Sequence, residues 1–143
     1  MRVLVQKCSN AKVSFQGEAR SILKGLVLFV GFTEGDGQEK IEVMARKVAN
    51  LRIFEDDAGI MNRSLLDEGG SVLSISQFTL YGDATHGNRP SYIKAMKSEE
   101  AKVLYQLFNQ ELAKYVPVTS GFFGEDMVVE LVNLGPTTIW LEK

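Results

Sequence analysis

The sequence of 143 residues has little of the amino acids on which several functional classes depend. With one cysteine and one histidine, it cannot form an internal disulfide, and it lacks the nitrogen and sulfur ligands of a usual zinc site. The glycine-rich runs GxGxxG and GxxxxGK[ST], which hold dinucleotides and phosphates, are also absent. We therefore expect no metal and no cofactor. The scarcity of cysteine is typical of a reducing compartment, so we expect a cytoplasmic protein.

Long apolar runs and an excess of one charge are missing as well. The longest apolar run, Leu26–Val30, is far shorter than the ~20 residues that a membrane helix needs, and Met1–Val5 is typical of a strand rather than a signal peptide. We expect no association with membranes. The sequence has 16 basic and 18 acidic residues and a net charge of −2. This balance excludes a protein that binds nucleic acid along many phosphates, but not one that binds only a terminal nucleotide.

The composition is that of a globular protein, with 45% apolar and 24% charged residues. Periodicity predicts one α+β domain spanning residues 1–143, with a curled, largely antiparallel or barrel-like sheet and two main helices. Short strands begin near Val3 and Ala11, separated by a polar turn at Ser9–Asn10. The consecutive apolar residues Leu26–Val30 predict a central strand that is covered on both faces.

Two segments have apolar residues at helical spacing. The first follows Asp36, which would form a capping box with Glu39. The apolar residues of the first segment are Ile41, Met44, Ala45, Val48 and Leu51. Ser98 would cap the second helix, since a hydroxyl group and early acidic residues favour a helix N-terminus. Its buried residues would be Leu104, Leu107, Phe108, Leu112 and Tyr115.

Two polar segments interrupt apolar strands. The first, Ser76–Leu80, ends a strand predicted over Gly70–Leu80, and its polar groups either face water or contact a ligand. The second, Asn133–Thr138, contains Gly135–Pro136. A Gly-Pro step between strands is most often a turn, but it also permits a rigid cis peptide that presents backbone carbonyls. These alternatives stay open at the level of the sequence.

Side-chain nucleophiles with a partner are scarce. A triad of Ser76, His86 and Asp83 is arithmetically possible, but His86 lies in a polar run of turn-forming residues, where a lone histidine is usually solvated. Lys7 beside Cys8 would lower the pKa of the thiol. A buried structural thiol is the better interpretation of Cys8.

The two polar segments, Ser76–Leu80 and Asn133–Thr138, resemble motifs of the D-aminoacyl-tRNA deacylases. The resemblance covers essentially the whole chain, and SQFTL and Asn-x-Gly-Pro-x-Thr are its most specific motifs. The matching segments are Ala49–Phe54, Ser74–Asp83, Gly87–Pro90, Gly121–Gly124 and Leu131–Thr138.

The resemblance implies a homodimer that binds the 3′ end of aminoacyl-tRNA in composite sites at the subunit interface. The family hydrolyses the ester between a D-amino acid, or mischarged glycine, and the terminal adenosine. Gly135 and Pro136 match its Gly-cis-Pro element, which enters the partner's pocket and rejects L-aminoacyl substrates. Rejection by rigid backbone suits an enzyme that must accept many D side chains.

The resemblance also implies roles for residues on the opposite side of the pocket. The side chain of Gln77 and the amide of Phe78 would stabilise an oxyanion, and Phe123 would form a wall beside the adenosine. Ser76 and Leu80 would contact substrate. Thr79 is a candidate nucleophile, but no base lies near it in sequence, so we favour assistance by the 2′-hydroxyl of the terminal ribose.

Four positions depart from the family pattern: Lys7, Glu125, Leu134 and Thr137. A lysine at position 7 would replace any bidentate arginine contact by a point charge. Two other functions stay open. One is a non-catalytic dimer that holds an RNA 3′ end, and the other is a related deacylase that clears mischarged L-amino acids.

Overall fold

The chain forms eight strands and three helices, as described for residues 1–143 in a computed structural model. The strands are β1 (Arg2–Phe15), β2 (Glu18–Ile22), β3 (Gly25–Gly31), β4 (Phe54–Glu55), β5 (Met61–Arg63), β6 (Ser71–Ser76), β7 (Val118–Ser120) and β8 (Val128–Glu142). The helices are α1 (Gln38–Asn50), α2 (Leu65–Glu68) and α3 (Ser98–Ala113), and a single 3₁₀ turn covers Phe78–Tyr81. The predicted α+β class with two main helices is confirmed.

Strand β1 lies at the centre of the main sheet. One edge pairs antiparallel with β8, while the other pairs with β3 through residues 2–8 and with β2 through residues 11–15. The change of partner falls at Ser9–Asn10. The turn predicted there is wrong, because these two polar residues continue β1 through a register irregularity in its pairing with β8.

The sheet curls into a nearly closed, barrel-like form. It continues from β3 through the parallel strands β6 and β7. Arg20 on β2 then closes the gap, since its guanidinium donates to the carbonyls of Ser120 at 2.9 Å and Gly121 at 3.2 Å. The predicted barrel-like sheet is therefore confirmed, as is the central strand at Leu26–Val30, which lies between β1 and β6.

The sheet is packed on both faces. The larger apolar cluster joins one face to α1 and α3, and the smaller one, which contains the predicted buried thiol of Cys8, fills the inside of the curl. Burial raises the pKa of Cys8. On α3, Phe108 and Leu112 are buried as predicted, whereas Tyr115 lies beyond the helix and is 37% exposed.

Both predicted helix caps are wrong. The N-cap of α1 is Gly37 without a side-chain bond, and Ser98 is the first residue of α3 rather than its cap. Asp36 instead holds the start of the chain, since it accepts hydrogen bonds from the Met1 α-ammonium at 2.8 Å, the Thr33 amide at 2.8 Å and Lys40 at 3.0 Å. Burial opposes its charged form, but these bonds outweigh burial and lower the pKa of Asp36 below 3.8.

No helix of the structure is both long enough and apolar enough to cross a membrane.

Candidate active site

The SQFTL segment forms the floor of a cleft where β6 ends. The strand stops at Ser76, and the chain then folds into the 3₁₀ turn, so the strand predicted to continue to Leu80 is too long. The Gln77 amide still donates to the Val30 carbonyl at 2.8 Å, which ties the beginning of the turn to β3. Gly31 permits this approach, because a Cβ there would lie 2.9 Å from the Gln77 carbonyl oxygen.

The cleft has a volume of about 720 Å³ and brings together most of the residues singled out in the sequence. Ser76, Gln77, Phe78 and Thr79 line it together with Phe123 from the loop after β7. Leu80 does not line it; the Leu80 carbonyl accepts a hydrogen bond from Arg2 at 2.8 Å on another side of the turn. The cleft also includes Tyr92, Ala95 and Met96, which the sequence analysis left in an unassigned loop.

The polar groups of the cleft are an amide, hydroxyls and the carboxylates of Glu125 and Asp126, and no hydroxyl is hydrogen-bonded to a carboxylate as a nucleophile–base pair would be. The side-chain amide of Gln77 donates to the Thr79 hydroxyl. The Phe78 amide begins the 3₁₀ turn, where the first N–H groups have no acceptor within the turn. The lining contains no histidine, cysteine, lysine or arginine. This arrangement suits the stabilisation of an oxyanion, and neither of the carboxylates that line the cleft, Glu125 and Asp126, is hydrogen-bonded to Thr79 to activate its hydroxyl.

The alternative triad is not assembled in the cleft. Neither His86 nor Asp83 lines it with Ser76. Asp83 accepts a hydrogen bond from the Thr85 amide at 2.9 Å, and the Thr85 hydroxyl and amide lower the pKa of Asp83. No group of three or more histidine, cysteine, aspartate or glutamate residues is placed to hold a metal ion.

Aromatic residues form two walls of the cleft. Phe78 meets Tyr92 edge to face, with ring centroids 5.1 Å apart, and Phe123 packs against Tyr105 at 5.7 Å. The Tyr105 hydroxyl donates to the Ser74 carbonyl at 2.7 Å, and burial raises the pKa of this phenol. Tyr105 therefore ties α3 and the Phe123 wall to β6. Tyr105 directly follows Leu104, which the sequence analysis assigned to the buried face of this helix. The predicted set of buried residues did not include Tyr105 itself.

The segment that contains Gly135 and Pro136 lies elsewhere, exposed on β8. Its peptide bond is cis, and the φ of Gly135 is +112°. A Cβ at Gly135 would lie 2.5 Å from the Thr137 hydroxyl oxygen, so the position requires glycine. The Asn133 side chain anchors the base of the segment by donating to the carbonyls of Lys7 at 2.9 Å and Thr137 at 3.0 Å.

The Gly135–Pro136 segment does not line the cleft of its own chain. The hydrogen bonds of Asn133 hold the base of the segment, and Gly135 and Pro136 at its tip are exposed.

The four departures from the family pattern have different surroundings. Lys7 is 7% exposed, and its ammonium donates to the Ile53 carbonyl at 3.2 Å. Thr137 is buried, whereas Leu134 is 37% exposed. Glu125 lines the cleft and places a carboxylate there.

Solved structures share this architecture over the full chain. One is described as a structural analysis of a probable eukaryotic D-amino acid tRNA deacylase, with a TM-score of 0.85 at 15% identity over 98% of this chain and 97% of that one. Another, the c-Myc DNA unwinding element binding protein, has a TM-score of 0.94 at 38% identity over 100% and 99% of the two chains. The fold is thus that of the deacylases.

Sequence relatives narrow this class to one family. The model of the D-Tyr-tRNA(Tyr) deacylase family matches residues 4–142, and the chain belongs to this family. A D-aminoacyl-tRNA deacylase of Thermomicrobium roseum is 54% identical over 100% of this chain and 94% of its own. One from Bacteroides thetaiotaomicron is 47% identical over 99% and 97%. The predicted resemblance, and with it an enzyme of the hydrolase class, is confirmed.

Proposed function

We propose that the protein hydrolyses the ester bond between a D-amino acid and the 3′-terminal adenosine of tRNA, releasing free tRNA and the D-amino acid. Mischarged glycyl-tRNA is a second substrate. The observation that carries this proposal is the meeting of Ser76, Gln77, Phe78 and Thr79 with Phe123 in one cleft of a chain that belongs to the deacylase family. Since tRNA is charged and used in the cytoplasm, the protein acts there.

The chemistry needs positioning and oxyanion stabilisation more than a side-chain nucleophile. A water molecule attacks the ester carbonyl carbon, assisted by the 2′-hydroxyl of the terminal ribose. The Phe78 amide and the Gln77 side chain donate to the resulting oxyanion. The ester carbon–oxygen bond then breaks, the ribose oxygen takes a proton, and the amino acid leaves as a carboxylate. An ester is activated enough for this set of groups to suffice.

The second half of the site comes from a partner subunit. The outer face of β8 exposes Val128 by 63%, Val132 by 50% and Leu134 by 37%, with Glu130 as the one charged residue among these alternate positions, and a largely apolar strand face of this kind is suited to burial against a second copy. The chain therefore forms a homodimer, in which the exposed Gly135–Pro136 tip of each subunit enters the cleft of the other.

Chirality is then read by exclusion. The partner's backbone occupies the side of the α-carbon toward which an L side chain would point, whereas a D side chain or the hydrogen of glycine leaves that side free. Ser76 completes the substrate contacts, and the ring of Phe123 borders the adenosine.

A turnover assay tests the function directly. The purified protein is given the same tRNA charged with D-tyrosine or with L-tyrosine, and the released amino acid is counted. We expect many turnovers of the D-ester and an L-ester as stable as in buffer. Equal hydrolysis of both esters, or of neither, contradicts the proposal.

A non-catalytic module that binds nucleic-acid ends is the second candidate. It is favoured by the absence of a base beside Thr79 and by the name of the related DNA unwinding element binding protein. Such a module would bind uncharged and charged tRNA alike and release no amino acid. The same assay therefore distinguishes the two functions.

A further inference from the structure

The stretch from residue 84 to residue 97 borders the entrance of the cleft and differs in charge from the rest of the chain. This entrance segment contains Arg89, Lys94 and Lys97 and no acidic residue, although acidic residues outnumber basic ones in the whole sequence. Arg89 and Lys97 are exposed and form no ion pair. Lys94 is 67% exposed and has only a long contact of 3.8 Å with Asp83. The segment itself is thus cationic, whereas the neighbouring acidic residues are Asp83 in the second cavity and Glu125 and Asp126 in the cleft lining.

An exposed aromatic pair lies at the same place. Phe78 is 54% exposed and Tyr92 is 41% exposed, and their edge-to-face contact leaves ring surface open to solvent. Tyr92 packs over Gly82, where a Cβ would lie 2.9 Å from the tyrosine ring. Open aromatic faces next to cations are the combination on which single-stranded nucleic acids stack their bases.

The entrance segment is held in place by backbone hydrogen bonds. Asp83 and Ser91 exchange amide-to-carbonyl bonds of 2.8 Å in both directions, and the Met96 amide donates to the Phe32 carbonyl at 2.9 Å. Tyr92 and Lys94 lie between these two anchors. A binding surface that is already ordered loses little conformational entropy when a ligand docks.

A second, polar cavity borders the same 3₁₀ turn as the cleft. It has a volume of about 300 Å³ and shares the 3₁₀ turn as a wall, with Arg2 and Lys94 on its rim and Asp83 beside them. Phe78 and Thr79 line the first cleft, whereas Tyr81 lines the second. A polynucleotide whose last residue sits in the first cleft and which crosses the turn therefore meets Lys94, whereas Arg2 is already paired with Glu142 at 3.2 Å.

We propose that the entrance segment binds the nucleotide preceding the terminal adenosine of a single-stranded RNA 3′ end, with Tyr92 stacking on its base and Lys94 contacting its phosphate. This inference deepens the proposed function and rests on it for the identity of the terminal residue. It assigns a role to residues that the sequence analysis left in an unassigned loop. It also limits the RNA contact to a few phosphates, as the net charge requires.

The test compares two substrates that share the scissile ester. One is D-tyrosyl-tRNA, and the other is 2′(3′)-O-D-tyrosyl-adenosine, which lacks every preceding nucleotide. We expect Tyr92→Ala to lower kcat/KM on the tRNA by roughly 5- to 100-fold more than on the adenosine ester, where only the contact of the tyrosine ring with Phe78 is lost. Tyr92→Phe keeps the ring and should behave as wild type on both substrates. Tyr115→Ala removes an exposed tyrosine outside the cleft lining and should change neither.

A binding measurement gives a readout independent of catalysis. The probe is a fluorescein-labelled RNA oligonucleotide with an unpaired CCA 3′ end, followed by fluorescence anisotropy over a salt series. Lys94→Gln should reduce the slope of log affinity against log salt by about 0.7, the value for one phosphate contact of a single strand. Lys47→Gln, which removes an exposed lysine on α1, should leave the slope unchanged.

The outcomes separate this inference from the proposed function. Binding of the oligonucleotide that depends on Tyr92 and Lys94, without turnover of either ester, supports the entrance site and refutes the deacylase. Equal losses on both substrates in Tyr92→Ala, or wild-type affinity for the oligonucleotide in both variants, overturn the entrance site. A weakened dimer in Tyr92→Ala would instead place a second copy on this surface and likewise overturn it.

Discussion

The two sides of the curled sheet differ in how completely a single chain covers them. On the helical side, α1 and α3 close over β1, β3 and β6, and residues such as Phe108 and Leu112 have no exposed surface. On the side of β8 and the 3₁₀ turn, Val128, Phe78 and Trp140 expose 63%, 54% and 47% of their surface. The first side has buried its apolar surface within the chain, while the second still offers apolar surface to another molecule.

This difference separates the residues that maintain the fold from those that act on substrate. A buried apolar side chain contributes to stability by removing surface from water, and its loss leaves a cavity. An exposed residue with few contacts contributes little to stability, so its substitution reports on binding or chemistry instead. The two sides should therefore respond to substitution in different measurements.

The largest effect on stability is expected on the helical side. Phe108→Ala removes a fully buried ring between α3 and the sheet and should lower the free energy of unfolding by about 3–5 kcal/mol. Urea denaturation measures this loss. Turnover per folded molecule should stay near wild type at low temperature. Val103→Ala, at a position on α3 that is 63% exposed, is the matched control and should change stability by less than about 0.5 kcal/mol.

A slightly smaller loss is expected where Asp36 holds the first residue. Asp36→Asn removes the anion from a pair in which both side groups are fully buried, which should lower the free energy of unfolding by about 3 kcal/mol. Asp57→Asn breaks a pair in which the carboxylate is 95% exposed, and should be nearly neutral. An equal loss in the two variants would contradict the account.

The lowered pKa of Asp36 predicts that the free energy of unfolding depends on pH. Because the pKa of Asp36 is below 3.8 in the folded protein, its contribution is present above that value and disappears as the pH falls through the folded pKa. Wild type should therefore lose more stability in this acidic range than Asp36→Asn does. Parallel unfolding free energies of the two proteins between neutral and acidic pH would refute this assignment.

On the side of β8 and the 3₁₀ turn, substitutions should change turnover rather than stability. Gln77→Ala should reduce kcat on D-aminoacyl-tRNA by about 10²–10³-fold, the range for loss of one oxyanion donor. The thermal midpoint should hardly change, since the only hydrogen bond of the Gln77 side chain is the one to the Thr79 hydroxyl. Gln110→Ala, an exposed position on α3, is the control. Unfolding of the variant would show that Gln77 maintains the fold. Full activity of the folded variant would show that Gln77 has neither role.

The smallest effect is expected at Thr79. If the ribose 2′-hydroxyl assists water, Thr79→Ala should lose less than about tenfold in kcat, because the Thr79 hydroxyl is hydrogen-bonded to the Gln77 amide and to no carboxylate of the cleft. Single-turnover kinetics with D-aminoacyl-tRNA gives the rate of the chemical step. A loss of several orders of magnitude would restore Thr79 as the nucleophile.

The difference between the two sides also explains what could be predicted from the sequence. The buried strand Leu26–Val30 and the apolar face of α1 follow from hydrophobic period, which burial within one chain imposes. The helix caps at Asp36 and Ser98 were wrong, because tertiary partners of Asp36 compete with local capping and the α3 cap has no side-chain bond. Ser9–Asn10 was wrong because a strand that changes partner needs no turn.

The site itself was only partly accessible from pattern. SQFTL and the Gly135–Pro136 motif identified the family, yet the 3₁₀ turn after Ser76 and the contribution of Tyr92 depend on how separate segments meet. The spacing of apolar residues carries no information on which separate segments contact each other in the fold. Tyr92 was overlooked because its neighbours are polar turn residues, although the absence of acidic residues around it was visible in the sequence.

We propose that a second copy completes the side of β8 and the 3₁₀ turn, with Gln77 and Gly135 of different subunits in one site. Gly135→Val, which would obstruct the opposing cleft, and Gln77→Ala each give a poorly active homodimer. Unfolding the two together and refolding them as mixed dimers restores one intact site in each heterodimer, so we predict about a quarter of wild-type D-aminoacyl-tRNA turnover. No recovery in verified mixed dimers, or full activity of the Gly135→Val homodimer, would contradict the account.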